Sequence, residues 1–184
     1  MKRTLAALAV IAALAGAPSA LAATPILGEP TTTPARAAAW ARAHGASPTF
    51  VRLAPVYWQV ARARGVRPEV AYALSAKETA FGNFTGVLDP SFRNVCGLKV
   101  TAGGRNDDPG AHQRFASWRQ GIVACVDHLA LYAGQRGYPK RATPDPRHFP
   151  FLAGRAPTVE ALGGTWAPSP SYGTSLAALV RSLG

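Results

Sequence analysis

Residues 68–84 read PEVAYALSAKETAFGNF, and the fold turns on how this stretch is read. Pro68 suits the first position of a helix, where its missing N–H costs nothing. Val70, Ala71, Leu74 and Phe81 recur at helical spacing on one face. The pattern predicts a helix from Pro68 to about Phe81, ended by Gly82. Glu78 falls within the apolar arc, eight residues after Val70. A carboxyl group among apolar neighbours is costly to ionise, so its pKa rises. A raised carboxyl is what a general acid needs near neutral pH. The alternative is a frayed helix end with Glu78 in water. Lys77 lies at the edge of the same arc, so periodicity leaves both readings open.

Working outward, the neighbouring segments are also helical. A short helix is expected over residues 36–44, ended by Gly45. Ser47-Pro48 reads as an N-cap followed by Pro at the first helical position. Phe50, Leu53, Tyr57, Val60 and Ala61 then form an apolar stripe up to Gly65, with Pro55 as a late start or a kink. From Gly82 to Phe115 the chain is rich in Gly, Asn, Asp and Pro, which predicts loops and a small β-hairpin lobe. Ser117 caps a fourth helix whose stripe is Trp118, Ile122, Cys125, Val126, Leu129 and Tyr132. Residues 135–157 are Pro- and Arg-rich and read as an extended surface segment. Short helices are expected over 158–162 and 171–183. The fold class is therefore mainly α, with a small lobe inserted between the third and fourth helices.

The chain has 184 residues, enough for one domain with a core. Its start, Met-Lys-Arg followed by an apolar run to Gly16 and small residues to Ala23, reads as a secretory signal peptide over 1–23, not a membrane anchor. Residues 24–47 read as a Thr- and Pro-rich linker and the short first helix, and 48–184 as the main domain. There are 20 Lys and Arg against 9 Asp and Glu. Loss of Lys2 and Arg3 with the leader takes the formal net charge from +11 to +9. A cationic exported chain is drawn to anionic polymers such as a bacterial wall. Its basic residues are scattered, with no stripe for nucleic acid. The two cysteines, Cys96 and Cys125, suggest one disulfide in an oxidising compartment. The rival reading makes Cys96 a nucleophile with His112 or His128 as its base.

"YALSAKETAFGNF", residues 72–84, resembles the catalytic helix of the glucosaminidases of glycoside hydrolase family 73, within the lysozyme-like superfamily. "NVCGLK", 94–99, is similar to the family's Asn-Leu-Phe-Gly-Ile-Lys motif. "FASWRQGIVACVDHLALYAG", 115–134, is similar to its Phe-x-Ser-Trp segment and following helix. "WAPSPSYGTSL", 166–176, looks like its Trp-Ala-x-Asp-Pro-x-Tyr ending. The four pieces stand in family order over about residues 48–184. The resemblance implies a lysozyme-like helical domain with a small β lobe and a groove between them. It implies hydrolysis of β-1,4 links after N-acetylglucosamine in peptidoglycan, by a monomer secreted, periplasmic or bound to a bacterial wall, with no cofactor and no metal.

Carried over residue by residue, Glu78 matches the family's acid and Tyr172 the tyrosine facing it. Asn94 and Lys99 match the second motif, with structural or sugar-contacting roles. Trp166 and Phe81 are the aromatics expected at the substrate, and Trp166 and Tyr172 read equally well as groove wall or as packing. The chain departs from the family at three places. Glu-Thr-Gly reads Glu78-Thr79-Ala80. The second motif's aromatic is Cys96, which fits a disulfide tying the small lobe to Cys125. The last motif's Asp is Ser169. Glycosidases usually flank the scissile bond with two acids. Asp107 and Asp108 are the second-acid candidates, although Asp before Pro is ordinary turn chemistry. Asp89 and Asp127 are weaker. Without a second acid, the substrate's N-acetyl group would assist, or a lytic transglycosylase would become the reading. Two other classes stay open: a zinc amidase using His112, His128, His148 and Asp107 or Asp108, and a wall-binding module without turnover.

Overall fold

The computed structural model describes residues 22–184, so the expected leader lies, but for Ala22 and Ala23, outside the described residues. Among the described residues there are five α-helices: α1 Pro34–Ala43, α2 Pro48–Arg62, α3 Pro68–Glu78, α4 Trp118–Tyr132 and α5 Tyr172–Leu183. Local chemistry sets their starts. Thr33, Ser47 and Ser117 each accept a hydrogen bond from the backbone N–H three residues on. Each satisfies a donor that a helix start leaves unpaired. Thr33 caps α1, which begins at Pro34, two residues before the expected start. The helix α2 runs from Pro48 straight through Pro55.

The mainly helical class is as expected, but α3 is not the one-sided helix that periodicity implies. Every residue from Pro68 to Ala76 is buried, and α3 packs against α1, α2, α4 and α5. A helix buried on all sides has no polar face to show. Tyr57, Phe50, Trp58 and Trp40 surround Tyr72 of α3 in an aromatic cluster. Glu69, also fully buried, is held at the N-terminal end of α3. One oxygen accepts from Arg67 and from the Thr31 amide and hydroxyl. A carboxylate there also meets the positive end of the helix dipole.

Three expectations are corrected. Residues 24–28 are not a loose arm. Ile26 is fully buried, and backbone hydrogen bonds join this segment to Gly65, Arg67, Pro157 and Val159. The lobe between α3 and α4 holds no hairpin. It is reduced to one antiparallel bridge, Lys99 with His112, flanked by Val100 N to Ala111 O and Gln113 N to Leu98 O. Its Gly103, Gly104, Pro109 and Gly110 neither favour nor extend a ladder. Residues 135–157 are not merely surface. Asp145 is buried there, and Thr143, Tyr138 and Lys140 reach Asp127.

The lobe is tied to α4 twice. Cys96 and Cys125 form a disulfide with Cα atoms 6.0 Å apart. Close by in sequence, Gly121 lets the Arg93 carbonyl approach so closely that any β-carbon would overlap it.

Candidate functional site

Glu78 is the last residue of α3, where the chain leaves the core. The turn after it is unusual backbone. Ala80, Phe81 and Phe84 have φ of 48°, 58° and 52°, a region that L-residues with side chains seldom occupy. Such strain persists where the surroundings over-determine it. Here the Thr79 hydroxyl donates to Ser75 O at 2.6 Å and accepts from Gly82 N at 2.9 Å. The Asn83 amide donates to Ala80 O and Gly45 O, and Ser47 N donates to Phe81 O. The turn is thus fastened to the connection between α1 and α2, and Glu78 is fixed from behind.

Across from it, Tyr172 opens α5, and its hydroxyl donates to Glu78 Oε1. The Lys77 ammonium lies 5.2 Å from the centre of the Tyr172 ring. Gly97, with φ of 68°, passes close to Glu78 Oε2. Glu78 keeps substantial access to the groove, yet protein atoms crowd its carboxyl. That desolvation pushes its pKa above the ordinary glutamate value of 4.5, with smaller opposing pulls from Tyr172, Lys77 and Trp166. Tyr172 is pushed far upward by its own burial and by Glu78, so it stays a neutral donor.

Glu78 sits where two hollows meet. The larger, about 470 Å³, is walled by Gly97–Lys99 on one side and Tyr132, Thr165 and Trp166 on the other. The smaller, about 170 Å³, lies under Phe84 and residues 86–88. Glu78, Gly97 and His112 line both. Among the described residues lining them, Glu78 is the single carboxylate; His112, His128, Lys99 and Arg147 line the larger one. Trp166 packs edge-on to His128 and tilted against Tyr132, which presents an aromatic wall.

The expected site residues divide as follows. Glu78, Tyr172, Trp166 and Lys99 are brought together around the groove. Asn94 is fully buried. Its amide donates to Leu98 O and Gln113 O, and its oxygen accepts from Leu98 N, so it shapes the 94–98 turn while also lining the smaller hollow. Phe81 does not line the groove. It turns away, stacks on His44 and leans on Trp40, because the left-handed turn swings it to the α1 side. Asp107 and Asp108 are not groove residues either. Asp107 gives both oxygens to Arg105 in the open, and Asp108 caps the Pro109–Ala111 turn. Asp89 likewise caps a turn. Asp127 is buried, and Tyr138, Thr143 and Arg64 hold its carboxyl below the usual range against the cost of burial.

The histidines do not converge with the carboxylates of Asp107 or Asp108; His112 Nδ1 meets the Asp108 backbone carbonyl at 2.9 Å. His128 and His148 share Asp145 through their Nδ1 atoms, at 2.7 Å and 3.0 Å. His148 Nε2 accepts from Lys140 N, so its Nδ1 carries the proton. Among the described residues no group of three or more His, Cys, Asp or Glu is placed to share an ion. Cys96 is in the disulfide and so is no free nucleophile. Asp145 is the residue that sequence reasoning missed. Its only signal was Pro on both sides, which reads as a turn.

The fold and site therefore define a helical domain with a groove centred on one crowded carboxyl group. No protein-family model matches the chain, and no solved structure does. An uncharacterized protein of Borreliella burgdorferi is 29% identical over 131 residues, 71% of this chain. The chain spans 61% of that protein's length.

Proposed function

We propose that the protein cleaves β-1,4 glycosidic bonds in the glycan strands of peptidoglycan, with Glu78 as general acid. The observation that carries this reading is a carboxyl with a raised pKa, steadied by the Tyr172 hydroxyl, at the meeting point of two arms of a groove. A strand laid along both arms would place one sugar on each side of Glu78. Protonated Glu78 gives its proton to the bridging oxygen as the C1–O bond breaks. For an N-acetylglucosaminidase with no second carboxylate in the groove, the substrate's own N-acetyl oxygen attacks C1. Water then opens that intermediate, and its proton returns to Glu78. The aromatic wall of Trp166 and Tyr132 suits the faces of sugar rings.

The lone carboxylate also favours a second reading, a lytic transglycosylase. There Glu78 first donates its proton, then takes one from a hydroxyl of the same sugar, which closes on C1 without water. Products separate the two. Purified peptidoglycan is digested with the mature protein and with Glu78→Gln, and the fragments are weighed by mass spectrometry. Reducing-end N-acetylglucosamine, lost in the variant, is the expected result for hydrolysis. Anhydro-muramic ends would assign the transglycosylase. Free peptides that survive the substitution would refute glycan cleavage by Glu78. No fragments at all, with wall binding intact, would leave a binding module.

A further inference from the structure

Two cations on the wall of the larger arm, Lys99 and Arg147, are half-buried and have no carboxylate partner among the described residues. Backbone carbonyls of a single loop hold both. Arg147 Nη1 donates to Thr101 O at 2.9 Å, and Lys99 Nζ donates to Gly104 O. The guanidinium is steadied further by the Phe149 ring, whose centre lies 4.7 Å away. The acids nearby are already engaged. Asp107 is tied to Arg105, although it feels the Lys99 charge. Asp145 serves His128, His148 and the Arg147 amide. Glu78 accepts from Tyr172.

Arg147 is therefore held in place while most of its five N–H groups lack a protein acceptor. A fixed guanidinium without a carboxylate partner, lining the same hollow as a lysine, suits a planar anion, which it can hold through two parallel hydrogen bonds. We infer that Arg147, with Lys99 in the lining of the same hollow, forms a subsite for a carboxylate carried by the ligand. This rests on the reading of the groove as a glycan-strand site. On that reading the carboxylate is that of the muramoyl lactyl group or of the attached stem peptide. The subsite would select an anionic strand over a neutral one of the same length.

Binding to the Glu78→Gln protein, which keeps ligands intact, tests this by calorimetry with three oligosaccharides. These are chitotetraose, a peptide-free tetrasaccharide alternating N-acetylglucosamine and N-acetylmuramic acid, and the same tetrasaccharide bearing stem peptides. The expected result is at least about tenfold tighter binding of a carboxylate-bearing ligand than of chitotetraose. Preference for the peptide-free form assigns the lactyl carboxylate. A preference seen only with peptides assigns the stem. Adding Arg147→Gln should remove the preference, bringing the carboxylate-bearing ligands to the affinity of chitotetraose. Adding Arg147→Lys should keep only part of it. Equal affinity for all three ligands overturns the subsite and leaves the glycan reading standing. Loss of chitotetraose binding on Arg147→Gln also overturns it, because Arg147 would then only be clamping the 101–104 loop. If none of the three binds, the glycan reading itself fails.

Discussion

Ionising Glu78 costs more in the folded chain than in water, because Tyr172, Gly97 and the groove walls displace solvent from its carboxyl. Its folded pKa lies above 4.5, so the folded state holds this proton more tightly than the unfolded one. Its contribution to stability is fully present below 4.5 and is lost as pH rises through the folded value. Activity that needs protonated Glu78 falls along the same limb. Glu78→Gln should lower turnover by roughly a thousandfold or more. It should melt no lower than the parent at pH 7, and its melting temperature should lose this part of the pH dependence. Thermal melts across pH 4 to 8 check it. Tyr172→Phe removes a donor that favours the ionised carboxylate, so the alkaline limb of a pH–rate profile should move to higher pH. An unmoved limb would detach Tyr172 from the acid.

Ala80 tests the residue scale in another way. At φ of 48° its side chain crowds its own backbone, and glycine would not. Ala80→Gly should stabilise by about 0.5–1 kcal/mol, read from the denaturant midpoint.

Between elements, the lobe and α4 are joined by the Cys96–Cys125 bond and by the close approach at Gly121. Replacing both cysteines by serine opens a loop with a sequence separation of 29 and should cost about 3–4 kcal/mol in the loop-entropy account. Gly121→Ala must push the Arg93 carbonyl away and should cost about 1–3 kcal/mol, with the 94–98 turn and the groove wall displaced. Denaturant unfolding measures both. The sequence made α2 and α4 legible through Ser47 and Ser117, whose caps act locally. It made Glu78 legible through its place in the apolar arc, but its pairing with Tyr172 only through resemblance, because the two lie 94 residues apart and meet by packing. Phe81 misled, since its face was read from a helical wheel while its φ of 58° takes it off the helix. The arm at 24–28 misled for a related reason. Its partners at 65–67 and 157–159 are distant in sequence, and strand-like pairing of so few residues leaves no periodic mark.

For the whole molecule, α3 is the element that touches most of the rest. Its residues from Pro68 to Ala76 are buried, and four other helices cover it. Segments with such coverage open only when the entire domain does. Its backbone amides should be the slowest to exchange with deuterated water, with protection equal to the global unfolding free energy. Residues 85–91 and 101–110, exposed and weakly paired, should exchange orders of magnitude faster. Fast exchange in α3 under native conditions would contradict this packing.

The burial of α3 bears on how such a protein could diversify. Glu78 stands on the part least tolerant of change, while the groove is bordered in part by exposed residues such as Gly86, Val87 and Asn106. Substitutions at those residues can alter which ligand is admitted without disturbing the carboxyl's perch. Substitutions beneath it cannot displace the carboxyl alone, because they unmake the molecule as well. Descendants with new selectivity are therefore easier to reach than inert but well-folded ones, unless position 78 itself is exchanged.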